Sequence, residues 1–134
     1  MERDFRPVVA LLRENIPGLV ALYQFGSAVA GGERPDSDID LAFLAEEALD
    51  PVRRFTLASQ AARMLGREVD LVELRRADPV LLAQVIGGGR LLDCANPGQV
   101  AAFETTALAR YCALNEERRE LLADIQARGR IYAR

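Results

Sequence analysis

Apolar residues recur along this chain at two spacings, one helical and one strand-like, and turn residues fall where the spacing changes. Phe5, Val8, Val9, Leu11 and Leu12 form the stripe of a first helix over positions 5–14, which Pro17-Gly18 ends. Positions 19–25 are almost continuously apolar and of strand length, the pattern of a strand covered on both faces. A second such run, Asp38-Ile39-Asp40-Leu41-Ala42-Phe43-Leu44, opens with two carboxylates. Asp50-Pro51 then supplies an N-cap with proline in the first turn, for a helix to Leu65 with Gly66 just beyond its end. Alternation and branched residues at positions 68–74 predict a third strand. Asp78-Pro79 caps a short helix to Ile86, closed by a flexible Gly87-Gly88-Gly89 turn, and positions 90–94 read as a short last strand. Asn96-Pro97 caps a long final helix with a kink near Asn115 and an end at Arg128-Gly129. Its single stripe is Val100, Phe103, Ala107, Leu108, Tyr111, Leu114, Leu121, Leu122 and Ile125, interrupted by a charged stretch at 116–120.

Strands interleaved with helices predict an α/β fold, with a small mixed sheet flanked by helices. The chain reads as one domain over 1–134, a core at 1–95 followed by a C-terminal helical arm at 96–129. Its 134 residues, half of them apolar, suffice for one core. Net charge is −3, all 17 basic residues are arginine, and no basic run stands out, which argues against direct nucleic-acid binding. No segment reaches the apolar length of a membrane span and the N-terminus lacks a signal-peptide layout, so a cytoplasmic protein is expected, with no membrane role. Cys94 and Cys112 have no metal-site spacing and read as buried free thiols. There is no histidine, which removes histidine-based triads, histidine acid–base catalysis and most zinc sites. Catalysis here has to use carboxylates, metals and positioning.

The chemistry concentrates between Tyr23 and Leu44. Asp38 and Asp40 project from one face of their strand, about 7 Å apart, while Ile39, Leu41 and Phe43 point to the other. Carboxylates so placed suit divalent cations, and Mg²⁺ is usually bound by one or two carboxylates together with substrate phosphates. Gly26-Ser27, at the end of the preceding strand, has the complementary chemistry: close backbone approach, exposed N–H groups and a hydroxyl for phosphate oxygens. A short helix beginning at positions 28–30 would aim its N-terminal amides the same way. Asp70 interrupts the apolar pattern of the third strand. It is either an exposed strand-edge aspartate or the third member of a carboxylate cluster, with Glu68 and Glu73 as competitors. Arg53, Arg54, Arg63 and Arg67 are most simply the solvated face and exit of their helix, although one or two could lean toward phosphates.

Gly26-Ser27, ten residues, then Asp38-x-Asp40 resembles the signature of the DNA-polymerase-beta-like nucleotidyltransferases, in particular their minimal nucleotidyltransferase (MNT) branch. The resemblance covers nearly the whole chain. It implies that Asp38 and Asp40 bind two Mg²⁺ ions, that Asp70 is the third aspartate, and that Gly26 and Ser27 grip the phosphates of ATP. The resembled branch includes antitoxins encoded beside HEPN-domain ribonuclease toxins, some of which transfer AMP from ATP to a tyrosine of the toxin. The expected partner is therefore a HEPN toxin. A binding-only antitoxin and a catalytic subunit acting on small molecules are the alternatives. In one respect the chain departs from the pattern: where members carry a basic residue after Gly-Ser, it has Val29-Ala30-Gly31, which leaves phosphate neutralisation to Arg34 or another arginine.

Overall fold

The structure, a computed structural model, describes residues 3–26 and 38–132, with side chains to residue 127. Ser27, the short helix expected at 28–30 and Arg34 lie outside the described residues.

The elements run α1 (Arg6–Asn15), β1 (Leu19–Phe25), β2 (Ile39–Ala45), α2 (Pro51–Leu65), β3 (Val69–Glu73), a 3-10 turn (Leu74–Arg76), α3 (Pro79–Gly88), β4 (Arg90–Cys94) and α4 (Pro97–Tyr132). Four strands form one sheet in the order β3-β2-β1-β4. β1 is antiparallel to both β2 and β4, whereas β2 and β3 are parallel. A parallel neighbour requires a crossover, and α2 supplies it.

Strand parity divides the side chains between two apolar clusters. Ile39, Leu41 and Phe43 of β2 join Leu22 and Leu71 beneath α1 (Val8, Leu12) and α2 (Leu57, Ala61). The alternate positions Ala42 and Leu44 join Tyr23 and Phe25 beneath α3 (Leu82, Val85) and α4 (Val100, Ala107). Both faces of the sheet are covered, which is why β1 and β2 read as continuous apolar runs. Polar ties lock the layers. Arg13 of α1 makes a two-pronged ion pair with Asp93 of β4, and the Tyr23 hydroxyl donates to Glu104 of α4 at 2.9 Å. Burial, then that bond to Glu104, holds the Tyr23 hydroxyl protonated well above its ordinary range.

The helix ends follow the sequence signals closely. Asp78 accepts from the Leu81 N–H and Asn96 from the Gln99 N–H, while Asp50 precedes Pro51 without a side-chain cap bond. Gly66 closes α2 at φ +69°. Gly87 and Gly88 continue α3 rather than ending it, and Gly89 forms the turn into β4.

α4 departs from expectation twice. It continues through Asn115 without a break, because asparagine costs a helix interior only a few tenths of a kcal/mol. Its apolar positions also do not all face the core: Val100 and Ala107 are buried, but Leu108, Leu121, Leu122 and Ile125 are exposed. For Leu121, Leu122 and Ile125 the reason is length. Thirty-six helical residues extend about 54 Å, whereas the seven-residue strands beneath extend about 23 Å. Cys112 is likewise exposed on α4 rather than buried, and Cys94 is half-buried; both are free thiols.

Candidate active site

The end of β1 and the start of β2 lie side by side, with Phe25 opposite Asp40. Asp38 immediately precedes β2 instead of lying within it, and it is exposed. Asp40 shares strand parity with the core residues Ala42 and Leu44 but is only half-buried. The row from Asp38 to Leu44 thus passes from solvent into the core, and the carboxylates occupy its open end. β3 aligns Asp70 directly with Asp40. Neighbouring strands are about 4.8 Å apart, so the two carboxylates stand beside each other on one face. Asp70 is an exposed residue of the edge strand, in register with Asp40.

Burial, followed by the negative charges of Asp70 and Asp38, raises the Asp40 carboxyl above its ordinary range. The region therefore carries an excess of negative charge that a cation would relieve. Among the described residues no three His, Cys, Asp or Glu side chains converge to hold a metal ion by themselves. That arrangement still fits Mg²⁺, a hard cation that keeps several waters and takes one or two carboxylates plus substrate phosphates, not an all-protein cage.

Gly26 has a role its sequence context did not reveal. It sits at φ +86°, and a Cβ built on it would fall 2.2 Å from Asp40 Oδ2. The missing side chain is the space in which the Asp40 carboxylate lies. Glycine at this point serves the carboxylate directly, whatever its neighbouring amides do for phosphate.

The competing carboxylates are placed elsewhere. Glu73 is buried and committed: its Oε2 accepts from the Leu49 N–H at 2.9 Å and its Oε1 pairs with Arg76 at 2.8 Å. It fastens the entry to α2 onto β3. Glu68 is exposed just before β3 and lines a groove with Asp70. Of the α2 arginines, Arg53 donates to Asn15 and Arg54 to the Leu71 carbonyl, while Arg63 lines the same groove as Asp70.

The chain as a whole has relatives among known proteins. The family model described as Polymerase beta, Nucleotidyltransferase matches residues 8–97. The chain belongs to that nucleotidyltransferase family. It is 38% identical over 120 residues to the protein adenylyltransferase MntA of Shewanella oneidensis, covering 90% of this chain and 86% of that protein. A crystal structure of a toxin–antitoxin with AMP-PNP contains a chain that superposes with a TM-score of 0.83 at 36% identity, covering 92% of this chain and 99% of the other. A structure of the tri-AMPylated Shewanella oneidensis HEPN toxin in complex with its MNT antitoxin matches with a TM-score of 0.74 at 36% identity, over 90% of this chain and 93% of the other. The mixed α/β fold expected of a minimal nucleotidyltransferase is thus the one observed. The similarity reaches well past residue 97, so it includes part of α4 along with the sheet.

Proposed function

We propose that this nucleotidyltransferase is the antitoxin of a toxin–antitoxin pair and acts as a protein adenylyltransferase, moving AMP from ATP to a tyrosine of a HEPN-domain ribonuclease toxin. The observation that carries the chemistry is the alignment of Asp40 with Asp70 across two parallel strands, with Asp40 seated against Gly26. The choice of a protein acceptor rests on the likeness to MntA over 90% of the chain. Asp38, Asp40 and Asp70 are the residues that would hold Mg²⁺, which when bound neutralises phosphate charge and favours ionisation of an attacking hydroxyl. Gly26 and Ser27 hold the β- and γ-phosphates. The tyrosine oxygen forms a bond to the α-phosphorus, the bond from that phosphorus to the bridging oxygen breaks, and pyrophosphate leaves. Asp70, beside the attacking oxygen, takes the hydroxyl proton. Positioning and charge neutralisation supply most of the rate, and no histidine is needed. No helix among the described residues is long and apolar enough to cross a membrane, and with ATP as donor the proposed compartment is the cytoplasm.

The deciding experiment supplies Mg²⁺ and ATP labelled at the α-phosphate, with the HEPN-domain protein encoded beside the gene as acceptor. Label should appear on a tyrosine of that protein, and its ribonuclease activity should fall. Silencing without label would instead identify an antitoxin that works by binding alone.

Two further outcomes are expected. Ser27→Ala removes a hydroxyl bond to a charged group, worth about 1.5–3 kcal/mol, so transfer should fall roughly ten- to a hundredfold with little change in stability. Unfolding of the variant, with transfer per folded molecule unchanged, would make Ser27 structural. In α4, the exposed Leu121 and Ile125 lie four residues apart on one helix face and form the proposed partner-holding arm. Leu121→Ser/Ile125→Ser should shift stability by under about 0.5 kcal/mol, since neither residue is in the core, while weakening the complex with the acceptor. Equal affinity by titration calorimetry would leave the arm without that role.

A further inference from the structure

We propose that the pocket between the 3-10 turn, α3 and α4 is a docking seat for an acidic side chain of the partner protein, an aspartate or glutamate carried by the HEPN-domain acceptor. This rests on the toxin–antitoxin reading and adds to it a contact that holds the pair together away from the reacting centre. The pocket encloses about 470 Å³, and its walls include Arg75 of the turn, Leu82 of α3, and Gln99, Phe103, Thr106 and Arg110 of α4.

Its chemistry is that of an anion receptor. Two guanidinium groups line it and none of its described lining residues is a carboxylate, although the chain carries more acidic than basic residues, 20 against 17. Arg75 is pinned in place. Its Nε donates to the Ala45 carbonyl, and its guanidinium carbon stands 6.0 Å from the centre of the Phe103 ring. A guanidinium has five N–H donors in a planar fork, so the bond from Nε leaves both terminal nitrogens for a ligand. Arg110 has no hydrogen bond or ion pair among the described residues. The carboxylates close by are engaged outside the pocket: Glu104 accepts from Tyr23 on the sheet side of α4, and Glu46 from the Gln99 side chain at the start of α4. A carboxylate takes two parallel N–H bonds from one guanidinium, and Thr106 adds a hydroxyl donor. Leu82 and the Phe103 ring supply an apolar wall for the methylene stem behind the carboxylate.

What occupies the pocket follows from the helix that builds it. Each residue of an α-helix turns by about 100°, so positions about 18 apart point the same way. Phe103 and Leu121 are therefore aligned along α4, with Arg110 about 20° from that line. Leu121 and Ile125 are exposed where α4 has outrun the sheet, and such uncovered apolar side chains mark a surface that another molecule covers. The pocket is the inner end of that same helix face. A protein lying over Leu121 and Ile125 reaches Arg110 without turning around the helix, whereas a small anion would leave the apolar line uncovered. Covering an arginine that lacks a partner is costly, and an acidic side chain seated on it removes that cost. The seat is remote from the chemistry. Ala45, to which Arg75 is bonded, lies five residues along β2 from Asp40, about 17 Å.

The test measures binding of the HEPN-domain protein encoded beside the gene to wild type, Arg110→Glu and Ala102→Trp, by titration calorimetry at low and raised salt. Ala102 also lines the pocket, so tryptophan there fills it without removing a bond. Both positions are exposed, so melting temperatures should match wild type, and either variant alone suffices if the other folds poorly. The Kd should rise about tenfold or more in each, and Arg110→Glu should flatten the salt dependence. The kcat for AMP transfer at saturating acceptor, and the affinity for a non-hydrolysable ATP analogue without acceptor, should stay within about twofold. Unchanged Kd in both variants overturns the seat and leaves the adenylyltransferase reading standing. Loss of analogue affinity would assign the pocket to the nucleotide and overturn the proposal equally. Failure of wild type to bind the acceptor overturns the pairing on which the seat rests, and the seat with it.

Discussion

Replacing Asp38 and Asp40 together by asparagine is expected to leave the fold intact and to lower Mg²⁺-dependent transfer on the order of a thousandfold or more. Neither side chain belongs to either apolar cluster, so the core does not depend on them. The stability of the metal-free protein should change in the less obvious direction. The Asp40 carboxyl is raised above its ordinary value of 3.8 by burial, then by Asp70 and Asp38. A carboxyl with a higher pKa folded than unfolded retains its proton longer in the folded state. Its contribution therefore favours folding below the unfolded value and is lost as pH rises through the folded one. At neutral pH the ionised group opposes folding, and removing it relieves repulsion. The double variant should melt at or above the wild-type temperature in the absence of divalent cations. Mg²⁺ should raise the wild-type melting temperature and leave the variant's unchanged, since only a site that binds the ion in the native state gains from it. Scanning fluorimetry with and without Mg²⁺, alongside the labelling assay, reads both effects. Ordinary turnover by the folded double variant would remove the carboxylate mechanism.

Much of this site is legible in the sequence because its parts are local. The strand carrying Asp40 is written in its apolar alternation, although Asp38 falls just outside it, and β1 and β4 fall where Gly and Pro bracket apolar runs. What pattern alone could not supply is set between distant segments. The alignment of Asp70 with Asp40 depends on which strands pair and in what register; pattern favours Asp70 over Glu73 but does not reveal that Glu73 accepts from the Leu49 N–H. The exposed end of α4 depends on the helix outrunning the sheet, a comparison of lengths that its stripe does not contain. Phe55 reads in sequence as any apolar residue of an amphipathic helix; only the packing of α2 leaves it uncovered. Gly26 illustrates the same limit. Its sequence suggested a turn near phosphate, and its contact with Asp40 arises only once β1 and β2 are paired.

That contact predicts the second large effect. Gly26→Ala should cost the fold about 1–2 kcal/mol, because alanine is strained at φ > 0, and should also reduce transfer about a hundredfold by moving a reacting-centre carboxylate. The added Cβ would fall 2.2 Å from Asp40 Oδ2, closer than non-bonded atoms approach. Gly26 directly follows Phe25, which is paired with Asp40, so the Asp40 side chain is the part freer to move. It would turn away from the position it shares with Asp70. Gly66 provides the control. Its φ of +69° is equally unfavourable to alanine, but nothing lies within 4 Å of its would-be Cβ. Gly66→Ala should therefore lose a similar amount of stability by backbone strain alone and keep transfer per folded molecule near wild type. Urea melts give the first quantity, and the labelling assay, corrected for folded fraction, gives the second. If both variants lose the same stability and both retain full transfer, the glycine serves the turn and not the carboxylate. A specific loss in Gly26→Ala alone identifies the absent side chain as the space that holds Asp40 in working position.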